Sequence, residues 1–172
     1  MKPQTKSDST ITLKGIIDED FVNYRVPSMV LMFPYCTFKC GSEYCQNSNL
    51  AKAESITVGI KSICERYANN SITEAVVCQG LEPMDSFSEL TLFISKLRYM
   101  GIDDDVVIYT GYTKEELIKA QYLEPLKGLG NIVIKYGRYL PNSKPHYDDV
   151  LGVNLASDNQ YAERLINATK NR

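Results

Sequence analysis

The stretch Ser28-Met29-Val30-Leu31-Met32-Phe33-Pro34-Tyr35-Cys36-Thr37-Phe38-Lys39-Cys40-Gly41-Ser42-Glu43-Tyr44-Cys45-Gln46-Asn47 decides how the rest of the chain is read. Ser28 to Phe33 is a continuous apolar run of strand length, the pattern of a parallel strand covered on both faces. Pro34 stops it, and three of the five cysteines then fall within ten residues, so three thiols are delivered into one loop at one strand end. That is a metal-site arrangement. Three thiolates can hold an iron-sulfur cluster while leaving one iron without a protein ligand, and an open coordination position separates a catalytic centre from a structural one.

Working outward, 172 residues with 44% hydrophobic content suffice for one ordinary core, and we read residues 11–172 as a single domain behind a polar, disordered tail at 1–10. A formal charge of -2 provides no basic footprint, which argues against nucleic acid and anionic membranes as partners. Neither a signal peptide nor an apolar run long enough to cross a bilayer is found, so the protein is expected in the cytoplasm. Reducing conditions there, and an odd cysteine count, favour metal ligands or reactive thiols over disulfides. The N-x-S/T matches at Asn69 and Asn167 are assigned no role.

Along the chain, Ile11 to Ile17 reads as a short edge strand. After the cysteine loop, Ser55 is placed to cap a helix carrying Ile56, Ile60, Ile63, Cys64 and Tyr67 at helical steps. Thr73 to Cys78 reads as a second buried strand, with Gln79-Gly80-Leu81-Glu82-Pro83 as the loop leaving it. Ser86 and Glu89 offer a capping box for a helix with Phe87, Leu90, Ile94 and Leu97. Asp105 to Tyr109 is a third strand, and Thr113 with Glu116 a further capping box, the helix being broken by Pro125 and Gly128. Asn131 to Tyr136 is a fourth strand, Pro141 to Tyr147 a loop, and Gln160 to Asn167 a closing helix. Strands alternating with helices imply right-handed βαβ units and a mostly parallel sheet. The loops at 34–47, 79–83 and 110–112 all leave the C-terminal end of a strand, the rim where α/β sheets bind ligands.

Cys36, three residues, Cys40, four residues, then Cys45 preceded by the aromatic Tyr44, with Gly80-Leu81-Glu82-Pro83 one strand later, resembles the radical S-adenosylmethionine superfamily. Within it, Asp105 to Tyr112 running into Glu115-Glu116-Leu117, the Gly137-Arg138-Tyr139 turn, and Ala156 to Gln160 are similar to the small activases of glycyl radical enzymes. Two departures stand out: the Cys40-Cys45 spacer is longer than the usual two residues, and Leu81 replaces the second glycine of the family's Gly-Gly-Glu/Asp-Pro loop.

The resemblance implies an open, incomplete (β/α) barrel and a 4Fe-4S cluster on Cys36, Cys40 and Cys45 whose fourth iron chelates S-adenosylmethionine. Tyr44 would stack on the adenine, Glu82 would hold the ammonium group, and Gly80 would let the backbone approach the ligand. Leu81, Pro83, Thr110, Tyr112 and Asn159 would complete the ligand site. The implied reaction is hydrogen-atom abstraction from a glycine of a partner such as anaerobic ribonucleoside-triphosphate reductase, with flavodoxin or ferredoxin as electron donor.

Each signal also has a plainer reading. The three cysteines with His146 could bind zinc, and the chain could be a metal-stabilised binding module. The same radical chemistry could act on another peptide or a small molecule. Cys64 and Cys78 read as buried apolar side chains.

Overall fold

The computed structural model of the protein describes residues 8–37, 41, 43, 45 and 47–167. Cys40 and Tyr44, on which two of the site expectations rest, lie outside the described residues, as does most of the expected tail.

The single N-terminal edge strand expected at Ile11 to Ile17 is instead two strands, β1 (Thr10–Leu13) and β2 (Gly15–Asp20). Between them the Lys14 amide donates to the Met32 carbonyl at 2.7 Å, where the chain passes from one sheet to the next. β2 runs antiparallel to β3 (Ser28–Phe33), whereas β1 pairs antiparallel with β4 (Ile56–Gly59). β4 corrects the helix expected from Ser55 onward. Ile56, Thr57 and Val58 are β-branched and fit a strand better than a helix start, and a short helix α1 (Ser48–Lys52) precedes them. Helix α2 (Ile60–Ala68) begins only after β4 and buries Ile60, Ile63, Cys64 and Tyr67 on one stripe.

The remaining order is β5 (Ala75–Gly80), a 3-10 turn (Pro83–Ser86), α3 (Phe87–Tyr99), β6 (Asp105–Tyr109), α4 (Lys114–Lys119), α5 (Leu123–Leu129) and β7 (Ile132–Tyr136). Strands β3, β5, β6 and β7 are parallel neighbours in that sequence, so each crossover steps the same way. Right-handed crossovers that never reverse direction put every helix on one face. There α2, α3, α4 and α5 bury apolar side chains against Leu31, Phe33, Val76, Val106, Ile108 and Ile134. Each such side chain contributes about 1.5–3 kcal/mol relative to exposure.

The capping box at Thr113 and Glu116 forms as expected. The one at Ser86 and Glu89 does not: Ser86 makes no cap hydrogen bond, and the Glu89 carboxylate accepts the Thr12 amide of β1 at 3.0 Å instead. A tertiary contact has taken the residue away from its own helix. Pro125 does not end a helix but stands in the first turn of α5, where its missing N–H costs nothing.

The expected closing helix is also a strand. β10 (Tyr161–Arg164) lies antiparallel to β7, fixed by the Arg164–Asp105 ion pair and by Glu163 accepting from Lys114 and Tyr136. The central sheet is therefore open, in the order β10-β7-β6-β5-β3-β2, mostly parallel with an antiparallel strand at each edge. Its second face carries a row of four valines in register, Val30, Val77, Val107 and Val133. Tyr24, Leu151 and Leu155 cover that row, the last from a hairpin of β8 (His146–Asp148) and β9 (Val153–Leu155). Asp148 ties the hairpin down by accepting the Val150, Leu151 and Ala162 amides at 3.0, 2.9 and 3.0 Å. Among the described residues no helix is long and apolar enough to cross a membrane.

Candidate functional site

A cavity of about 380 Å³ opens at the C-terminal ends of the four parallel strands. The loop after β3 contributes Cys36 and Cys45, the end of β5 Gly80, Leu81 and Glu82, the turn after β6 Thr110, Gly111 and Tyr112, and the turn after β7 Gly137, Arg138 and Tyr139. The expected rim is thus assembled. Each of these segments leaves a strand at the same edge, which is the position where parallel sheets gather ligand-binding groups.

Strand alternation sets the floor. The residues two beyond the valine row on three strands, Met32, Gln79 and Tyr109, share the cavity-facing side with Lys135 of β7, which pairs with Tyr109. Lys135 is buried, and burial drives its ammonium down to about 8, with the Glu82 carboxylate opposing the shift. Its Nζ donates to the Gly137 carbonyl at 2.9 Å. An ammonium has three hydrogens to place, so this group can offer donors to whatever fills the cavity.

Glu82 is buried too, and burial raises its carboxyl to about 7 against hydrogen bonds that favour ionisation. One oxygen accepts the Met84 amide at 3.0 Å and the other the Gly111 amide at 2.8 Å. The Thr110 side chain is a third hydrogen-bond partner, so the carboxylate is aimed before any ligand arrives, with acceptor capacity still left over. Thr110 is buried beside it, its hydroxyl oxygen accepting the Tyr112 amide at 3.0 Å.

Gly80 lines the cavity and has a structural purpose as well. Its φ is +106°, and an added Cβ would meet the Phe33 backbone nitrogen at 2.7 Å. The missing side chain lets the end of β5 close on β3. Leu81 is not among the residues of positive φ, so the backbone at this position needs no glycine. Pro83 is buried at the start of the 3-10 turn and lies behind the cavity wall rather than in it.

Cys36 and Cys45, both partly exposed, line the cavity, whereas Cys64 and Cys78 are buried in the helix-side core. Burial pushes the Cys64 thiol up to about 11 and Cys78 higher still, so neither is disposed to become a thiolate. The chemistry of the donor set fits an iron-sulfur group: two soft ligands sit at one mouth, and the segment between them carries the third. Among the described residues no group of three potential ligands gathers around a metal position, as follows when one of the three lies outside them. His146 stands in β8 and does not line the cavity, which removes the fourth ligand of the zinc reading.

At the C-terminal side, Gln160 reaches the cavity wall and donates to the Gly137 carbonyl at 3.2 Å. Asn159 does not line it; its amide donates to the Arg138 carbonyl at 2.9 Å and braces the turn after β7. Several lining residues were not singled out from sequence: Asn23, Asn47, Gln79, Tyr109 and Lys135. Lys135 was legible, since the alternation of Ile132-Val133-Ile134-Lys135-Tyr136 places it on the face of Val133. Asn47 was not, because only the fold shows its amide donating to the Gly80 carbonyl at 2.8 Å.

A family model described as a 4Fe-4S single cluster domain matches residues 24–155. No curated protein and no solved structure matches the chain.

Proposed function

The chain belongs to the family of 4Fe-4S single cluster domains, and from that premise we propose that it is a radical S-adenosylmethionine enzyme with Cys36, Cys40 and Cys45 as cluster ligands. The observation that carries this reading is the sharing of one rim cavity by Cys36, Cys45 and the Gly80-Leu81-Glu82 segment. Thiolates and a pre-aimed carboxylate in one enclosure suit a ligand that is at once a metal chelator and a cation. When bound, the cluster supplies one electron to the ligand's sulfonium, whose C5'-S bond breaks to give methionine and a 5'-deoxyadenosyl radical.

The chain's own residues bind, orient and exclude water. Glu82 holds the ligand's ammonium group with the acceptor capacity that Met84, Gly111 and Thr110 leave over. Leu81 supplies an apolar wall and Thr110 steadies the Tyr112 turn beside it. Tyr44, next to Cys45 in sequence, is the residue we assign to the adenine. Asn159 acts on the site through the Arg138 turn that it braces. Met32, Gln79, Tyr109 and Lys135 form the cavity floor, and the valine row next to them packs against the hairpin, so that side of the site is backed by packed core. An open sheet leaves that rim accessible to a protein, in keeping with an open, incomplete (β/α) barrel. The substrate of this reading is a glycine Cα–H of a glycyl radical enzyme, anaerobic ribonucleoside-triphosphate reductase first, with flavodoxin or ferredoxin supplying electrons.

The test is anaerobic reconstitution with iron and sulfide, reduction with dithionite in the presence of S-adenosylmethionine, and assay for 5'-deoxyadenosine. A brown protein that forms 5'-deoxyadenosine is the expected result. A colourless protein carrying one zinc per chain would replace the proposal with a metal-stabilised binding module.

A further inference from the structure

Beside the ligand cavity lies a second one of about 740 Å³, on the helix side of the rim. Cys36, Thr37 and Tyr112 line both, and so form the partition between them. Asp85, from the 3-10 turn after β5, lines only the second. It stands behind the partition and holds it. One carboxylate oxygen accepts the Thr37 amide at 3.1 Å, and the other accepts the Tyr112 hydroxyl at 2.6 Å. The Thr37 side chain closes the triangle by hydrogen bonding to the same phenol.

The triangle is anchored on its far side. The Tyr112 carbonyl accepts the Gly137 amide at 3.1 Å, and the Arg138 guanidinium sits 5.3 Å from the Tyr112 ring centroid. Arg138 is in turn held by both oxygens of Glu116, at 3.0 and 3.2 Å. A line of contacts therefore runs from Glu116 in α4 through Arg138, Tyr112 and Asp85 to the residue after Cys36. Removing Asp85 takes away the acceptor of the Thr37 amide, one residue beyond Cys36.

We propose that Asp85 is a positioning residue of the cluster site: by bonding Thr37 and Tyr112 together it fixes the Cys36 arm of the loop against the turn after β6. A carboxylate in the turn after β5 thereby holds the residue next to the thiol's own. The claim rests on the proposed role of Cys36 only for its purpose, since the clamp itself is independent of any ligand.

Asp85 is half-exposed and outside the core, so Asp85→Ala, Asp85→Asn and Tyr112→Phe are suitable variants, with circular dichroism as the check of folding. Hydrogen exchange, followed in both metal-free and reconstituted protein without S-adenosylmethionine, is expected to speed up at least tenfold at Thr37 in Asp85→Ala. The other rim loops should change little. Asp85→Asn keeps one acceptor oxygen and should fall between, which also covers a failure of the alanine variant to fold. Tyr112→Phe should give the same local effect, and the double variant no more than either alone, because both cut one triangle. In reconstituted protein the EPR signal of the reduced cluster should differ from wild type in Asp85→Ala. Unchanged exchange at Thr37, strictly additive effects, or a superimposable EPR signal would overturn the assignment. Absence of any cluster in the wild type would count against the proposed function, and the exchange data alone would then decide this one.

Discussion

Glu82 leaves the end of β5 and accepts the Gly111 amide of the turn after β6 at 2.8 Å, so one buried carboxylate joins two rim loops. The contact has a pH signature. In the folded chain burial holds the Glu82 carboxyl up at about 7, whereas an unfolded glutamate ionises near ~4.3. The folded state keeps its proton longer, so this group's contribution to stability is full below the unfolded value and is lost as the pH rises through about 7. The loss amounts to about 4 kcal/mol at 1.36 kcal/mol per unit. Glu82→Gln cannot ionise, and its amide offers only one acceptor oxygen to two backbone donors, so it should be the less stable protein at low pH. Urea unfolding across pH 4 to 8 is the check: the gap between wild type and variant should narrow as the pH rises. A gap that does not change with pH would mean that Glu82 is not the buried acid described here.

Gly80→Ala should destabilise the protein by about 3 kcal/mol or more, because left-handed strain and a backbone collision add. The obstacle is the Phe33 nitrogen, which cannot swing aside as a side chain would. Gly101 is the control: its φ is +77° but an added Cβ meets nothing within 4 Å, so Gly101→Ala should cost only about 1 kcal/mol. Equal costs at the two sites would show that β5 does not close on β3 as tightly as the registers indicate.

The parallel core was readable because its strands are buried on both faces and therefore announce themselves as unbroken apolar runs, Ser28 to Phe33 most plainly. Rim loops followed from the same reading. What failed were segments whose structure is settled by partners distant in sequence. Ile56 to Gly59 becomes a strand because β1 offers it a ladder, and Glu89 abandons its own helix for the Thr12 amide. Tyr161 to Arg164 joins β7 because Asp105 and Lys114 wait there for its charges. For the site, the cysteine spacing and Glu82 could be found one by one. The triangle of Thr37, Asp85 and Tyr112 could not, since it spans three loops with no shared motif.

The cysteines should separate into two classes. Cys36→Ala, Cys40→Ala and Cys45→Ala are each expected to abolish stable cluster incorporation, read as iron per chain and as the visible absorbance of anaerobically reconstituted protein. Cys64→Ala and Cys78→Ala should retain wild-type iron, since these thiols lie in the helix-side core and their raised pKa values disfavour the thiolate. Their cost should appear in stability, about 1 kcal/mol each for a sulfur-sized void. Full iron in any variant of the first class would remove that cysteine from the ligand set.

Lys135 sets stability against binding. Its ammonium is held at about 8 by burial, against ~10.4 in an unfolded chain. The unfolded state therefore binds the proton more tightly between those values, and stability rises as the pH climbs from about 8 towards ~10.4, the penalty being complete below the folded value. Lys135→Met removes a charge that the fold carries at a loss and keeps much of the stem's volume. At pH 7 the variant should be more stable by about 2 kcal/mol, the hydrogen bond to Gly137 being subtracted from the relief of burial. At pH 10 the advantage should largely vanish. A lysine retained at that expense in the wall of the cavity has its return in ligand contact, so the same variant should bind S-adenosylmethionine at least tenfold more weakly by calorimetry on reconstituted protein. A variant that is no more stable at pH 7 would show that the ammonium is better solvated than its burial indicates. One that is more stable but binds the ligand normally would make Lys135 a support for the Gly137 turn alone.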